Sequence, residues 1–118
     1  MNDANDNSWT NSKDLLRSHG EQWTMTSIGN QAYALGGYRC CGQDYSVSWL
    51  EQYKGTQDKW VYKADFPYSI YRHCTAADEE TGRLWVTGGT HYYHGTHADG
   101  EPYTSNHEKR DTHYYEVG

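Results

Sequence analysis

The sequence predicts an all-β protein built from short antiparallel strands. Three observations carry this. Short runs with period-two alternation are separated by glycine- and asparagine-bearing turns. Two segments of the same design recur about fifty residues apart. No stretch sustains the apolar spacing of an amphipathic helix: SKDLLRS (12–18) offers one turn of pattern and reads as a loop.

The elements follow in order. Residues 8–13, with Trp9, read as a strand that belongs to a preceding unit. QWTMTSI (22–28), the turn Gly29-Asn30 and QAYALGG (31–37) form a hairpin with turn chemistry in place. SVSWLEQY (46–53), a turn over 54–58 and KWVYKAD (59–65) form a second. Val47, Trp49 and Tyr53 share one half-buried face, and Glu51 falls in the same phase, which places it near an edge. RHCTAAD (72–78), a turn around Glu80-Thr81-Gly82 and RLWVTGG (83–89) repeat the first hairpin. Residues 111–117 then supply a third strand of the second unit. Each period is expected to hold four antiparallel strands.

Composition bounds what such strands can do. Leu, Ile, Val and Phe fill only 12 of 118 positions and the net charge is −6, a balance that by itself leans toward disorder. Five Trp and twelve Tyr argue for a folded chain, because each buries roughly 150–250 Å². No apolar run approaches the roughly 18–20 residues of a membrane-spanning helix. The opening MNDANDNSWT is not a signal peptide. The acidic balance disfavours nucleic acid, since Lys109-Arg110 is the longest basic cluster and Glu108 and Asp111 flank it. Three cysteines are too few for a disulfide scaffold, so reduced thiols and a cytoplasmic setting are expected. A bridge from Cys40 or Cys41 to Cys74 would instead suit a secreted protein.

The repeat is specific in register. Gly36-Gly37 and Gly88-Gly89 are 52 residues apart, and each pair follows an aromatic, Tyr33 or Trp85, by three residues. Trp9 precedes Gly36 by 27 and Trp60 precedes Gly88 by 28. A slide of 51 superimposes Asp14 on Asp65, Ser18 on Ser69 and Thr24 on Thr75. SWLEQYKG then corresponds to DTHYYEVG, with Tyr53 over Tyr115 once a shift of one residue is allowed.

This ordered set resembles the kelch repeat. The unit of about fifty residues has a glycine pair closing its second strand (Gly36-Gly37, then Gly88-Gly89). A Tyr stands in the third strand (Tyr53, then Tyr115), a Trp opens the fourth (Trp60, as Trp9 would for a preceding unit) and Arg72 opens the next unit. The resemblance implies β-propeller blades of four antiparallel strands with the first strand innermost. The chain then divides into a fourth strand and linker (1–21), one complete blade (22–65), and a linker with the first three strands of another (66–118). Two departures stand out. Gln22 stands near where the first unit would have its Arg, and the second unit has ten additional residues between its glycines and its Tyr. Trp9, Gly36, Gly37, Tyr53, Trp60, Arg72, Gly88, Gly89 and Tyr115 are accordingly structural: the glycines admit close backbone approach, and Tyr53 and Trp60 stack across paired strands.

Specificity is expected in the loops after the glycines. YRCCGQDYS (38–46) offers Tyr38, Arg39 and Tyr45; the segment 90–111 offers Tyr92, Tyr93 and Tyr103 as contacts for a protein partner. That second loop also holds His91, His94, His97 and His107, four of the chain's seven histidines. Three-residue spacing in a flexible loop would let His91, His94 and His97 converge on Zn²⁺ or Cu²⁺, with Asp99 or Glu108 completing the shell. Of the two readings, a solvated partner-binding loop without a cofactor is the simpler. No nucleophile elbow, phosphate loop or carboxylate pair points to catalysis. Copper-radical galactose oxidases share the kelch architecture, but a shared fold lends no residues. The sequence therefore predicts a non-catalytic protein-interaction module.

A propeller closes with roughly 4–8 blades. Two blades read as a fragment of a longer kelch protein. Taken as complete, the chain is expected to self-associate into a ring of four or six blades. Residues 8–13 would then pair with 111–117 and bring Trp9 to Tyr115, within one chain or between neighbours.

Overall fold

The computed structural model describes residues 8–39, 47–96 and 98–117. Nine strands run in chain order: β1 (Thr24–Ile28), β2 (Gln31–Leu35), β3 (Trp49–Lys54), β4 (Lys59–Asp65), β5 (Cys74–Asp78), β6 (Arg83–Thr87), β7 (Thr90–Thr96), β8 (Pro102–Glu108) and β9 (Thr112–Glu116). Helix is absent among the described residues, and every strand pairing is antiparallel. The fold is all-β.

The strands form a four-stranded sheet β1-β2-β3-β4, a three-stranded sheet β5-β6-β9 and a two-stranded hairpin β7-β8. The two larger sheets share one plan. Ile28 pairs with Gln31 at the first hairpin end and Asp78 with Arg83 at the second. Tyr53 pairs with neither Tyr33 nor Ala34 but with Ala32, as Tyr115 pairs with Leu84. Tyr53 also faces Trp60 across β3 and β4, with ring centroids 5.2 Å apart.

Alternation sorts each strand onto two faces. Tyr33, Leu35 and Leu50 of the first sheet meet Leu84 and Val86 of the second, with Ile28 and Ile70, to make the apolar core. β3 lies between β2 and β4 and is buried on both faces, so Leu50, Glu51 and Gln52 are all covered. Gln52 Nε2 is satisfied by the Tyr33 hydroxyl and by Gln31 Oε1. Glu51 does not sit near an edge as its phase suggested. It is 1 % exposed, because the chain over 13–19 folds back across that face. Its Oε2 is 3.5 Å from His19 Nε2, and its Oε1 accepts the Leu16 amide. The other nitrogen of His19 donates to the Gly36 carbonyl at 2.7 Å. Arg17 lies over Trp49 and Tyr62 on the same face. Residues 12–18 are irregular, as their weak helical pattern implied.

Three expectations need correction. Residues 8–13 do not form a strand; they lie beside sheet 1 without a ladder, and Trp9 is fully exposed instead of packed. Lys13 is instead tied down through its amide to Asp58 Oδ1 and through its carbonyl to Trp60 Nε1. The stretch 90–111 is not a loop, because it folds into the β7-β8 hairpin. The additional residues of the second unit are spent on that hairpin, and β9 resumes the sheet after it. Finally, the expected strands at 22–28 and 72–78 begin two residues late, since Gln22 and Arg72 take left-handed backbone angles, φ 58° and 60°, that no strand tolerates, and the strand expected at 46–53, whose residue 46 lies outside the described residues, begins at Trp49.

The glycine pairs turn the chain out of β2 and β6. Gly37 has φ 127°, and a Cβ there would strike the His19 carbonyl. At Gly89, φ 96°, a Cβ would lie 2.9 Å from both His73 and Ile70.

Candidate functional site

Backbone strain marks one end of the molecule. Gln22 and Arg72 hold equivalent places before β1 and β5, and both sit in a conformation that costs an ordinary residue about 1–2 kcal/mol. They hold one another: the Arg72 amide donates to the Gln22 carbonyl at 3.1 Å, and Arg72 Nε donates to Gln22 Oε1 at 3.2 Å. The strain therefore joins the starts of β1 and β5, the first strands of the two sheets, and leaves Arg72 exposed. Its guanidinium lies 5.5 Å from the Tyr71 ring.

An aromatic cluster surrounds this junction. Tyr38 stands 4.9 Å from Tyr71 and 6.2 Å from Tyr92 between ring centroids. Backbone bridges set it up: Glu21 pairs with Tyr38 and Tyr71 with Thr90, equivalent links in the two units. Tyr71 is buried and its hydroxyl donates to Asn106 Oδ1 of β8 at 3.3 Å. Tyr38 and Tyr92 remain half-buried, so their edges reach solvent. Arg39 beside them is exposed, its guanidinium 5.8 Å from the Trp49 ring. Two cations, two partly open tyrosines and one buried tyrosine thus share a surface at the foot of the hairpin.

The linker between the sheets anchors that foot. His91 donates through Nδ1 to the Ser69 carbonyl at 2.8 Å and meets Tyr68 at 5.5 Å. Lys109 Nζ lies over the Tyr68 ring at 4.5 Å. β7 and β8 form a two-stranded ladder from Thr90–Glu108 to Thr96–Pro102, tied at its base to Tyr71 by the bridge to Thr90.

Of the residues expected to meet a partner, the structure brings Tyr38, Arg39 and Tyr92 to one surface. Tyr93 and Tyr103 lie further along the hairpin strands. Tyr45 lies outside the described residues, as do Cys40 and Cys41. Cys74 is a free, exposed thiol on β5.

For metal, the geometry departs from the flexible-loop picture. His91 and His94 lie in strand β7, where position 94 pairs with Thr104. His107, not His94, stands directly across from His91. His97 lies outside the described residues. Among the described residues no group of three or more His, Cys, Asp or Glu is gathered as a metal site requires.

Sequence reasoning missed Tyr71 and the strained Gln22–Arg72 junction. The repeat brought Gln22 near the place of Arg72 but not into register with it, because the two are 50 residues apart and the glycine pairs 52. No family model matches the chain, and no curated protein compared with it is similar to it.

Proposed function

We propose that the two sheets are successive blades of a kelch-type β-propeller and that the chain is a non-catalytic protein-interaction module. The blade reading is supported by the shared plan of the sheets, by positive φ at both glycine pairs, and by the matched strain at Gln22 and Arg72. The β1 and β5 strands also lie side by side, as innermost strands of neighbouring blades do.

The interaction reading rests on one observation: the Tyr38–Tyr71–Tyr92 cluster, flanked by Arg39 and Arg72 at the foot of the β7-β8 hairpin. Tyr and Arg dominate the energetics of protein interfaces, because they present large contact area together with a polar end. A rigid, already packed tyrosine base lowers the ordering cost of binding. With net charge −6, the two arginines at this end single out an acidic or carbonyl-rich partner segment.

A photo-crosslinking residue at position 92 tests this against the same residue at position 79 in the β5-β6 turn. A discrete adduct from position 92 that disappears with Arg39→Glu and Arg72→Glu supports the reading. Equal adducts from both positions refute it. Metal binding keeps one supporting observation, the direct opposition of His91 and His107. Calorimetric titration with Zn²⁺ or Cu²⁺ decides it: stoichiometric uptake lost in His107→Ala favours that reading, and no uptake removes it.

A further inference from the structure

The second sheet has an open side. β9 pairs with β6 and has no partner on its other edge among the described residues. In the first sheet that place is filled by β4, whose Trp60 faces Tyr53. Tyr115 is the counterpart of Tyr53, and it lines a cavity of about 180 Å³ between the sheets together with Leu50, Phe66, Leu84 and His113. A cavity of about 150 Å³ admits a benzene ring, so this one has room for most of an indole.

Trp9 is the fully exposed tryptophan of the chain, and it stands second in SWTNSK as Trp60 stands second in KWVYKA. We infer that the open edge of β9 is filled by residues 8–13 of a second copy, as an antiparallel fourth strand that places Trp9 opposite Tyr115. This inference rests on the reading of the sheets as successive equivalent units. Cross-strand partners share a face, so an indole opposite Tyr115 enters the cavity that Tyr115 lines.

The same register sets Ser8 opposite Glu116 and Lys13 opposite Asp111. The one cation of the segment thus comes to a carboxylate at the end of the β9 edge.

The occupant is a second copy because of where the segment is held. Leu50 lines the inter-sheet cavity; Glu51, its neighbour, points the other way. Glu51 receives the Leu16 amide, so the chain over 13–19 crosses the face of the first sheet turned away from the second. Lys13 is fixed there on Asp58 and Trp60 and cannot also lie opposite its own Asp111. The internal pattern agrees. β4 completes one sheet, and the linker after it packs Phe66 and Tyr68 on His113 of the next, at 4.9 and 5.9 Å. Residues 8–13 stand before a linker packed on Glu51, the counterpart of His113, so they belong to the sheet before the first. In a head-to-tail assembly that sheet is the second sheet of another copy.

The test is a full-length chain carrying Ser8→Cys and Glu116→Cys, with Cys40, Cys41 and Cys74 replaced by Ser. Mild oxidation should give covalent multiples of 13.6 kDa, and adding Trp9→Ser should remove them. Light scattering of the unaltered chain should give at least twice that mass. A monomer, an internal disulfide, or an assembly that lacks the 8–116 disulfide would each overturn the inference. Nuclear Overhauser contacts between Leu84 and Tyr115 separate the two levels of failure. With those contacts present, a monomer refutes strand donation alone; without them, the equivalence of the sheets fails as well.

Discussion

Acidification should unfold this protein through His73. The imidazole is 4 % exposed, wedged between Gly36 and Gly89, with Nε2 hydrogen-bonded to Thr24 Oγ1 at 2.7 Å. Burial pushes its pKa down from 6.5 to about 4, opposed only in part by the Leu35 backbone. The folded state therefore keeps His73 neutral where the unfolded chain already binds a proton. Between those two values the unfolded state holds more protons, so stability rises with pH across the window and is lost as pH falls through it. Each pH unit is worth about 1.4 kcal/mol, and the whole window carries about 3 kcal/mol. That is a large share of the roughly 5–15 kcal/mol that holds a domain folded. Urea denaturation at pH 7, 5.5 and 4, at one protein concentration, reads it out. With about 1–3 kcal/mol per molar urea, the midpoint should drop by about 1–3 M more in the unaltered chain than in His73→Gln. The variant is expected to be less stable at pH 7, yet its pH slope should be shallower. Parallel slopes for the two proteins would refute the assignment.

Other substitutions probe the remaining packing. Glu51→Ala leaves His19 buried against the first sheet without its carboxylate partner and should cost about 3 kcal/mol, because removing one partner of a buried pair leaves the other uncompensated; thermal denaturation measures it. Gly37→Ala should cost more than Gly29→Ala by about 2 kcal/mol or more in chemical denaturation, since both have positive φ and only Gly37 also meets a backbone carbonyl. Arg72→Gly relieves about 1 kcal/mol of backbone strain, so it should leave the unfolding midpoint nearly unchanged despite the lost Gln22 contact, while weakening the crosslink from position 92.

The hairpins with glycine turns were legible because turn chemistry and alternation are both local. QAYAL, KWVYKAD and RLWVT form strands where their patterns place them. The burial of Glu51 was not legible, since it depends on His19, 32 positions earlier in the chain, folding back over the sheet. A carboxylate in phase with aromatics reads as an edge residue until its partner is known. The β7-β8 hairpin was hidden by composition: Thr, His and Tyr with two internal glycines looked like a solvated loop. Its signal was Asp99-Gly100 between two runs rich in Thr and Tyr, a hairpin turn signature overlooked among the histidines. For 8–13 the pattern was strand-like, yet a strand needs a neighbour and none lies beside it among the described residues. The candidate site was half visible. Tyr38, Arg39 and Tyr92 were expected in partner contact, whereas Tyr71 joins them only through pairing with Thr90.

The doorway of the hairpin has an evolutionary consequence. The Gly88 amide donates to Asp111, the Lys109 amide donates to Gly89, and Thr90 stands opposite Glu108, so entry and exit are clasped before the hairpin begins. Beyond that clasp the base of the ribbon is still tied to the molecule through His91, Tyr92 and Asn106, which leaves its tip as the part to vary. Lengthening or trimming the ribbon by one residue on each arm preserves the clasp and the facing of every side chain below. A change on one arm alone would invert them. Descendants of this sequence are therefore free to vary the tip in paired steps, or to exchange it for a foreign segment, while the three-stranded sheet beneath stays the same.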